Sequence, residues 1–239
     1  MRKLCSLPLF VSGGIKDSLS PSHSIYTQAL YERNMTQSEF MHLQHQHEEV
    51  LEKIRLFAHQ LHEDVNQTYD KVYPYGYHLD KVADAVRKYG HEVCAEDADM
   101  LPLFFGAYFH DSIEDARLSY NDVTKIARTF MDEQQAYMAA EIVYALTNDK
   151  GRTSAERAGE KYYQGIRETP YAPFCKLADR LANITHSFQA LNDDNRHMKA
   201  VYHDELPHFL DSLRVSTADI RFLLPQAMIE EILSLVGEE

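Results

Sequence analysis

Only 9 glycines and 8 prolines punctuate a chain of 239 residues. So few turn formers leave long uninterrupted stretches, which suit long helices rather than many short strands. The apolar residues recur accordingly. Leu43, Val50, Leu51, Ile54, Phe57, Ala58 and Leu61 fall at helical spacing, and Thr36 with Glu39 makes a capping-box signature, so one helix is expected over 36–65. Further helices are expected over 78–88, ended by Gly90, from Asp97 or Asp99 to 113, and over 119–130, 133–146 and 174–188. The charged stretch 152–166 reads as a solvent-facing helix, and 196–237 as two helices parted near Ser216 or Pro225. Tyr73-Pro74-Tyr75-Gly76-Tyr77 breaks the pattern as a loop. The expected class is all-α: an irregular lead-in over 1–35, one helical domain over 36–190, and helices over 191–239 packed on that domain.

Composition narrows the function. With 44% hydrophobic residues the chain can bury a core, so global disorder is excluded. A net charge of −13 speaks against a nucleic-acid binder, which needs clustered Lys and Arg on one face. A small anionic substrate needs only a local basic pocket or a metal. Cys5, Cys94 and Cys175 are odd in number and lack CxxC spacing, so neither a disulfide framework nor a zinc-thiolate site is expected. A reducing, cytoplasmic setting fits that usage best. The apolar run behind Arg2 and Lys3 is interrupted by Ser6 and Pro8, too short for a secretory signal, and no stretch has the length of a membrane span.

The chemistry concentrates at His110 and Asp111, which close the apolar run from Leu101 to Phe109. A carboxylate and an imidazole at the end of so apolar a helix are costly unless paired or metal-bound. Glu114 and Asp115 follow one turn later, on the expected helix beneath which His110 and Asp111 would lie at i, i+4. Three anions so close repel one another unless a cation sits among them. His78, opening one helix, and Asp179, set in the apolar pattern Lys176-Leu177-Ala178-Asp179-Arg180-Leu181-Ala182-Asn183, complete a mixed nitrogen and oxygen set from three helices. That set suits Mn²⁺, Fe²⁺, Zn²⁺ or Mg²⁺ better than Ca²⁺. Lys150, Arg152, Arg157 and Lys161 form a basic group that reads either as a solvated face or as a clamp on substrate phosphate. His42, His45, His47, His59 and His62 read as a solvated face of the first helix, and Tyr73, Tyr75 and Tyr77 either stack on a base or pack.

The order His78, His110-Asp111 with Glu114-Asp115, then Asp179 resembles the HD-domain metal-dependent phosphohydrolases. It is most similar to the hydrolase domain of the RelA/SpoT alarmone enzymes and their small stand-alone relatives. Phe109-His110-Asp111-Ser112-Ile113-Glu114-Asp115, Lys176 to Ile184 and Tyr75 to Ala83 carry the resemblance, which spans about residues 50–190. It implies a Mn²⁺ site of His78, His110, Asp111 and Asp179, and removal of the 3′-pyrophosphate from a (p)ppGpp-like nucleotide. It further implies that Glu114 and Asp115 position or deprotonate the attacking water and that Asn183 lies in the nucleotide pocket. Lys176 joins the expected substrate-binding residues. The family's Arg-Lys pair upstream of the first His is missing from Gln67-Thr68-Tyr69-Asp70-Lys71-Val72, and His186 stands where it often has Thr; both departures fall on substrate recognition. The same metal set would also serve a 5′-nucleotidase or another nucleotide phosphohydrolase, and a catalytically silent HD protein would bind a nucleotide and regulate. The expected partner is a small nucleotide, with no nucleic acid and no membrane; a homodimer is left open.

Overall fold

The computed structural model describes residues 35–148, 159–189 and 193–237. Helices dominate them: α1 (Gln37–Gln46), α2 (Glu48–Asp64), α3 (Gly76–Tyr89), α4 (Met100–Phe109), α5 (Tyr120–Ala127), α6 (Glu133–Leu146), α7 (Glu160–Glu168), α8 (Ala172–Gln189), α9 (Asp193–Leu213) and α10 (Gln226–Gly237). Between α2 and α3 a small antiparallel hairpin pairs β1 (Thr68–Tyr69) with β2 (Tyr73–Pro74). The all-α expectation therefore holds; of the stretch 73–77 expected as a loop, Tyr73 and Pro74 form β2, and Gly76 and Tyr77 already belong to α3.

Thr36 caps α1 through the capping box that the sequence predicts, and Ser119 and Asp132 cap α5 and α6 in the same reciprocal way. The expected single helix over 36–65 is instead two, broken at His47. From Gln44 to Glu49 the chain offers no apolar side chain, so no burial at the joint favours a straight helix. The helix expected to reach 113 ends at Phe109, and residues 110–116 continue as turns. The stretch expected to face solvent does so only in part, because Tyr162, Tyr163 and Ile166 of α7 are buried.

α4 is the axis of the core. All ten of its residues are buried, and α2, α3, α6 and α8 pack around it. Its closest approach is to α6, where a Cβ added at Gly106 would stand 2.5 Å from Ile142 Cγ2. A side chain at 106 would force the two helices apart. Phe105 and Phe109 stack at 4.0 Å along one side of α4, and Phe40 of α1 stacks on Phe104 on another. α8 packs against α3, α9 and α10. The result places the first turn of α3, the end of α4 and the middle of α8 at one point.

Candidate metal centre

His78 sits in the first turn of α3, His110 caps the C-terminus of α4, Asp111 follows it, and Asp179 projects from the middle of α8. Their side chains converge. His78 Nε2 and His110 Nε2 are 3.2 Å apart, and His110 Nε2 is 2.8 Å from Asp111 Oδ2. Asp179 Oδ1 lies 3.3 Å from His78 Nε2 and 3.8 Å from His110 Nε2. The donor atoms of His78, His110 and Asp111 all fall within 4.8 Å of one another, and Asp179 joins that group through the histidines.

These spacings suit a shared divalent cation. Adjacent donors at 2.0–2.1 Å from an octahedral ion stand about 3 Å apart. The tautomer agrees too. His110 Nδ1–H donates to the Ala107 carbonyl at 2.8 Å, so Nε2 is the nitrogen that faces the other donors. Both histidines are buried. Burial disfavours charge on His110, but the Asp111 carboxylate outweighs it and pushes the imidazole up to about 9. Burial likewise opposes the charge of Asp111, and the adjacent imidazole holds its carboxyl well below the usual range. A positive charge is thus favoured among these four side chains, and a divalent cation would supply it in place of the proton.

The remaining site residues expected from the sequence divide. Asn183 is at the centre: its Nδ2 donates to Asp179 Oδ1 at 2.6 Å. Lys176, expected to contact substrate, has its ammonium 2.9 Å from Asp179 Oδ2. Glu114 and Asp115 lie on the turn after α4 rather than on its helix, although the Asp115 N–H still bonds the Asp111 carbonyl at 2.9 Å. Glu114 is exposed, and its carboxylate accepts from the backbone N–H of Asn148 and, at 3.2 Å, from Asn148 Nδ2. Asp115 accepts from Gln67 Nε2 at 3.1 Å. Burial first, and Asp111 second, raise the Asp115 carboxyl above its ordinary range. Lys161 lines a cavity of about 320 Å³ together with Thr147 and Asn148. Lys150, Arg152 and Arg157 lie outside the described residues.

Several residues at this centre were not singled out for it by sequence reasoning. The Tyr75 hydroxyl donates to Asp111 Oδ2, and the Tyr69 hydroxyl donates to Asn183 Oδ1 at 2.8 Å. Tyr69 also stacks on the His78 ring at 4.9 Å. His62, read as solvated, is 1% exposed and stacks on Tyr75 at 4.5 Å. Tyr75 stands three positions before His78, a spacing that could have flagged it. Tyr69 carries no local signal, because its partner is 114 positions away.

No protein-family model matches this chain, and no curated protein does either. Among solved structures, the chain is similar to a metazoan ortholog of SpoT, which hydrolyzes ppGpp and plays a role in starvation responses. The TM-score is 0.53 at 21% identity, over 79% of this chain and 96% of the other. The likeness is one of fold, and at that level it agrees with the RelA/SpoT resemblance read from the sequence.

Proposed function

We propose that this chain is a metal-dependent phosphohydrolase that removes the 3′-pyrophosphate of a (p)ppGpp-like nucleotide. The observation that carries the reading is the convergence of His78, His110, Asp111 and Asp179 from three helices onto one point. The fold likeness to a SpoT ortholog that hydrolyzes ppGpp supports the substrate class. Mn²⁺ is the metal proposed, with Mg²⁺, Fe²⁺ and Zn²⁺ compatible with the same donors.

A divalent cation at this centre supplies Lewis-acid neutralisation of phosphate charge and a lowered pKa for water. The chain's own residues do the rest. His110 offers its Nε2 lone pair because the Ala107 carbonyl holds the proton on Nδ1. Asn183 and Lys176 fix the Asp179 carboxylate from two sides. Glu114 accepts the proton of the attacking water, and Asp115 orients that water; general-base assistance of this kind contributes about 10²–10⁴-fold. Lys161, on the cavity beside Asn148, serves substrate phosphate as a point charge.

The test is a panel of nucleotides assayed with Mn²⁺. Pyrophosphate released from ppGpp is the expected result. Orthophosphate from nucleoside monophosphates would replace this reading with the 5′-nucleotidase one, and binding without turnover would replace it with the regulatory one.

A further inference from the structure

One short segment bonds two of the centre's carboxylates directly and reaches a third through Asn183. Gln67 Nε2 donates to Asp115 Oδ2 at 3.1 Å. The Tyr69 hydroxyl donates to Asn183 Oδ1 at 2.8 Å, and Asn183 passes the bond on to Asp179 Oδ1 at 2.6 Å. The Tyr75 hydroxyl donates directly to Asp111 Oδ2. These residues sit in and beside the hairpin of β1 and β2.

The hairpin is built to hold its place. Asp70 and Lys71 take left-handed φ values of 51° and 62°, and the Val72 N–H closes the turn on the Tyr69 carbonyl at 3.2 Å. From α8 and α9, His186 Nε2 and Asn195 Nδ2 donate to Asp70 Oδ2 at 2.9 and 3.1 Å. The tyrosine rings are pinned as well: Tyr69 stacks on His78, and Tyr75 is clasped by the fully buried His62. A carboxylate oxygen can only accept, so in this pair the Tyr75 hydroxyl is the donor.

We propose that this hairpin is the outer shell of the metal centre, with Tyr75 and Tyr69 as positioning residues that hold Asp111 and Asp179 in ligating orientation. Gln67 does the same for Asp115. The physical reason lies in lone-pair geometry. A carboxylate oxygen has two acceptor directions. Tyr75 takes one on Asp111 Oδ2 and leaves the other towards the histidines. An outer-shell donor that fixes a ligand in this way is worth about 10–100-fold in metal affinity. The inference rests on the metal centre of the proposed function but not on its substrate.

The experiment is Mn²⁺ titration of the full chain, followed by the electron paramagnetic resonance signal of free Mn²⁺, with thermal unfolding of each metal-free protein alongside. Tyr75→Phe removes one hydroxyl and keeps the ring; it is expected to weaken Mn²⁺ binding about 10–100-fold at an unchanged metal-free melting temperature. Tyr69→Phe, which acts through Asn183, weakens it by less, and Tyr73→Phe, on the same hairpin, leaves it unchanged. Should Tyr75→Phe fail to fold, Tyr69→Phe decides. Wild-type affinity in the folded phenylalanine variants would overturn the outer-shell role while leaving the metal centre standing. A wild-type chain that binds no divalent cation would overturn both.

Discussion

Lys176 and Asp179 share one turn of α8, and Lys176 Nζ bonds Asp179 Oδ2 at 2.9 Å, on the oxygen turned away from the histidines. The two oxygens of Asp179 therefore have separate duties: Oδ1 faces His78 and His110, and Oδ2 answers Lys176. Burial works against the charge of Asp179, and Lys176 is the strongest of the neighbours that overcome it. Removing one partner of a buried pair leaves the other uncompensated, at a cost of about 3 kcal/mol. Lys176→Met is expected to lower the metal-free stability by about that amount. Added Mn²⁺ should restore much of it. Urea unfolding with and without the ion checks both parts.

Glu114 and His110 separate chemistry from binding. Glu114→Gln keeps the ligand set intact and is expected to retain Mn²⁺ while losing about 10²–10⁴-fold in kcat. His110→Ala is expected to lose the metal itself. Metal content by elemental analysis, set beside turnover, distinguishes the two. Full activity in Glu114→Gln would remove Glu114 from the role of base.

His62 gives the protein an acid limb. Burial is the main cause that lowers its imidazole from 6.5 to about 4. Its folded pKa lies below its unfolded one, so the unfolded chain takes up the proton first as the pH falls. Its stabilising contribution is complete above pH 6.5 and drains away towards pH 4, a change of about 3 kcal/mol. In His62→Leu the difference in unfolding free energy between pH 7 and pH 4 should shrink by about that much. Denaturant melts at the two pH values measure it.

Two glycines should respond oppositely to the same substitution. A Cβ at Gly76 would stand 2.5 Å from His59 Nδ1, and that ring is held by Asp80 at 3.0 Å. Gly76→Ala is therefore expected to cost about 1–3 kcal/mol and to disturb the turn that presents His78. Gly165, in α7, has nothing within 4 Å of an added Cβ. There the gain in helix propensity stands alone, and Gly165→Ala should stabilise by about 0.5–1 kcal/mol. Chemical unfolding midpoints of the two variants settle the contrast.

The parts of this architecture that depend on neighbours in sequence were legible. The capping box at Thr36, the bounds of α6 and the approximate bounds of α8 follow from local spacing and cap chemistry. The break at His47 was hidden because its cause is a lack of burial rather than a breaker residue. At the centre, His110, Asp111 and Asp179 were legible because an ionisable residue in an apolar pattern costs free energy without a partner, whereas His78 joined them only through the order of motifs that carries the family resemblance. Helical spacing misplaced Glu114 and Asp115, since α4 stops at Phe109 and a turn takes over. The burial of His62 and the reach of Gln67 and Tyr69 arise only on folding; Gln67 and Asp115 are 48 positions apart.

The helix from Met100 to Phe109 is enclosed on every side, and it delivers His110 and Asp111 at its end. Side chains rooted in so rigid a pillar have little freedom left to surrender when an ion arrives. The entropy of arranging these donors is spent while the polypeptide collapses, before any cofactor is met. Loading should consequently tighten the protein without reshaping it, so that the bare and charged forms superimpose closely around this pillar.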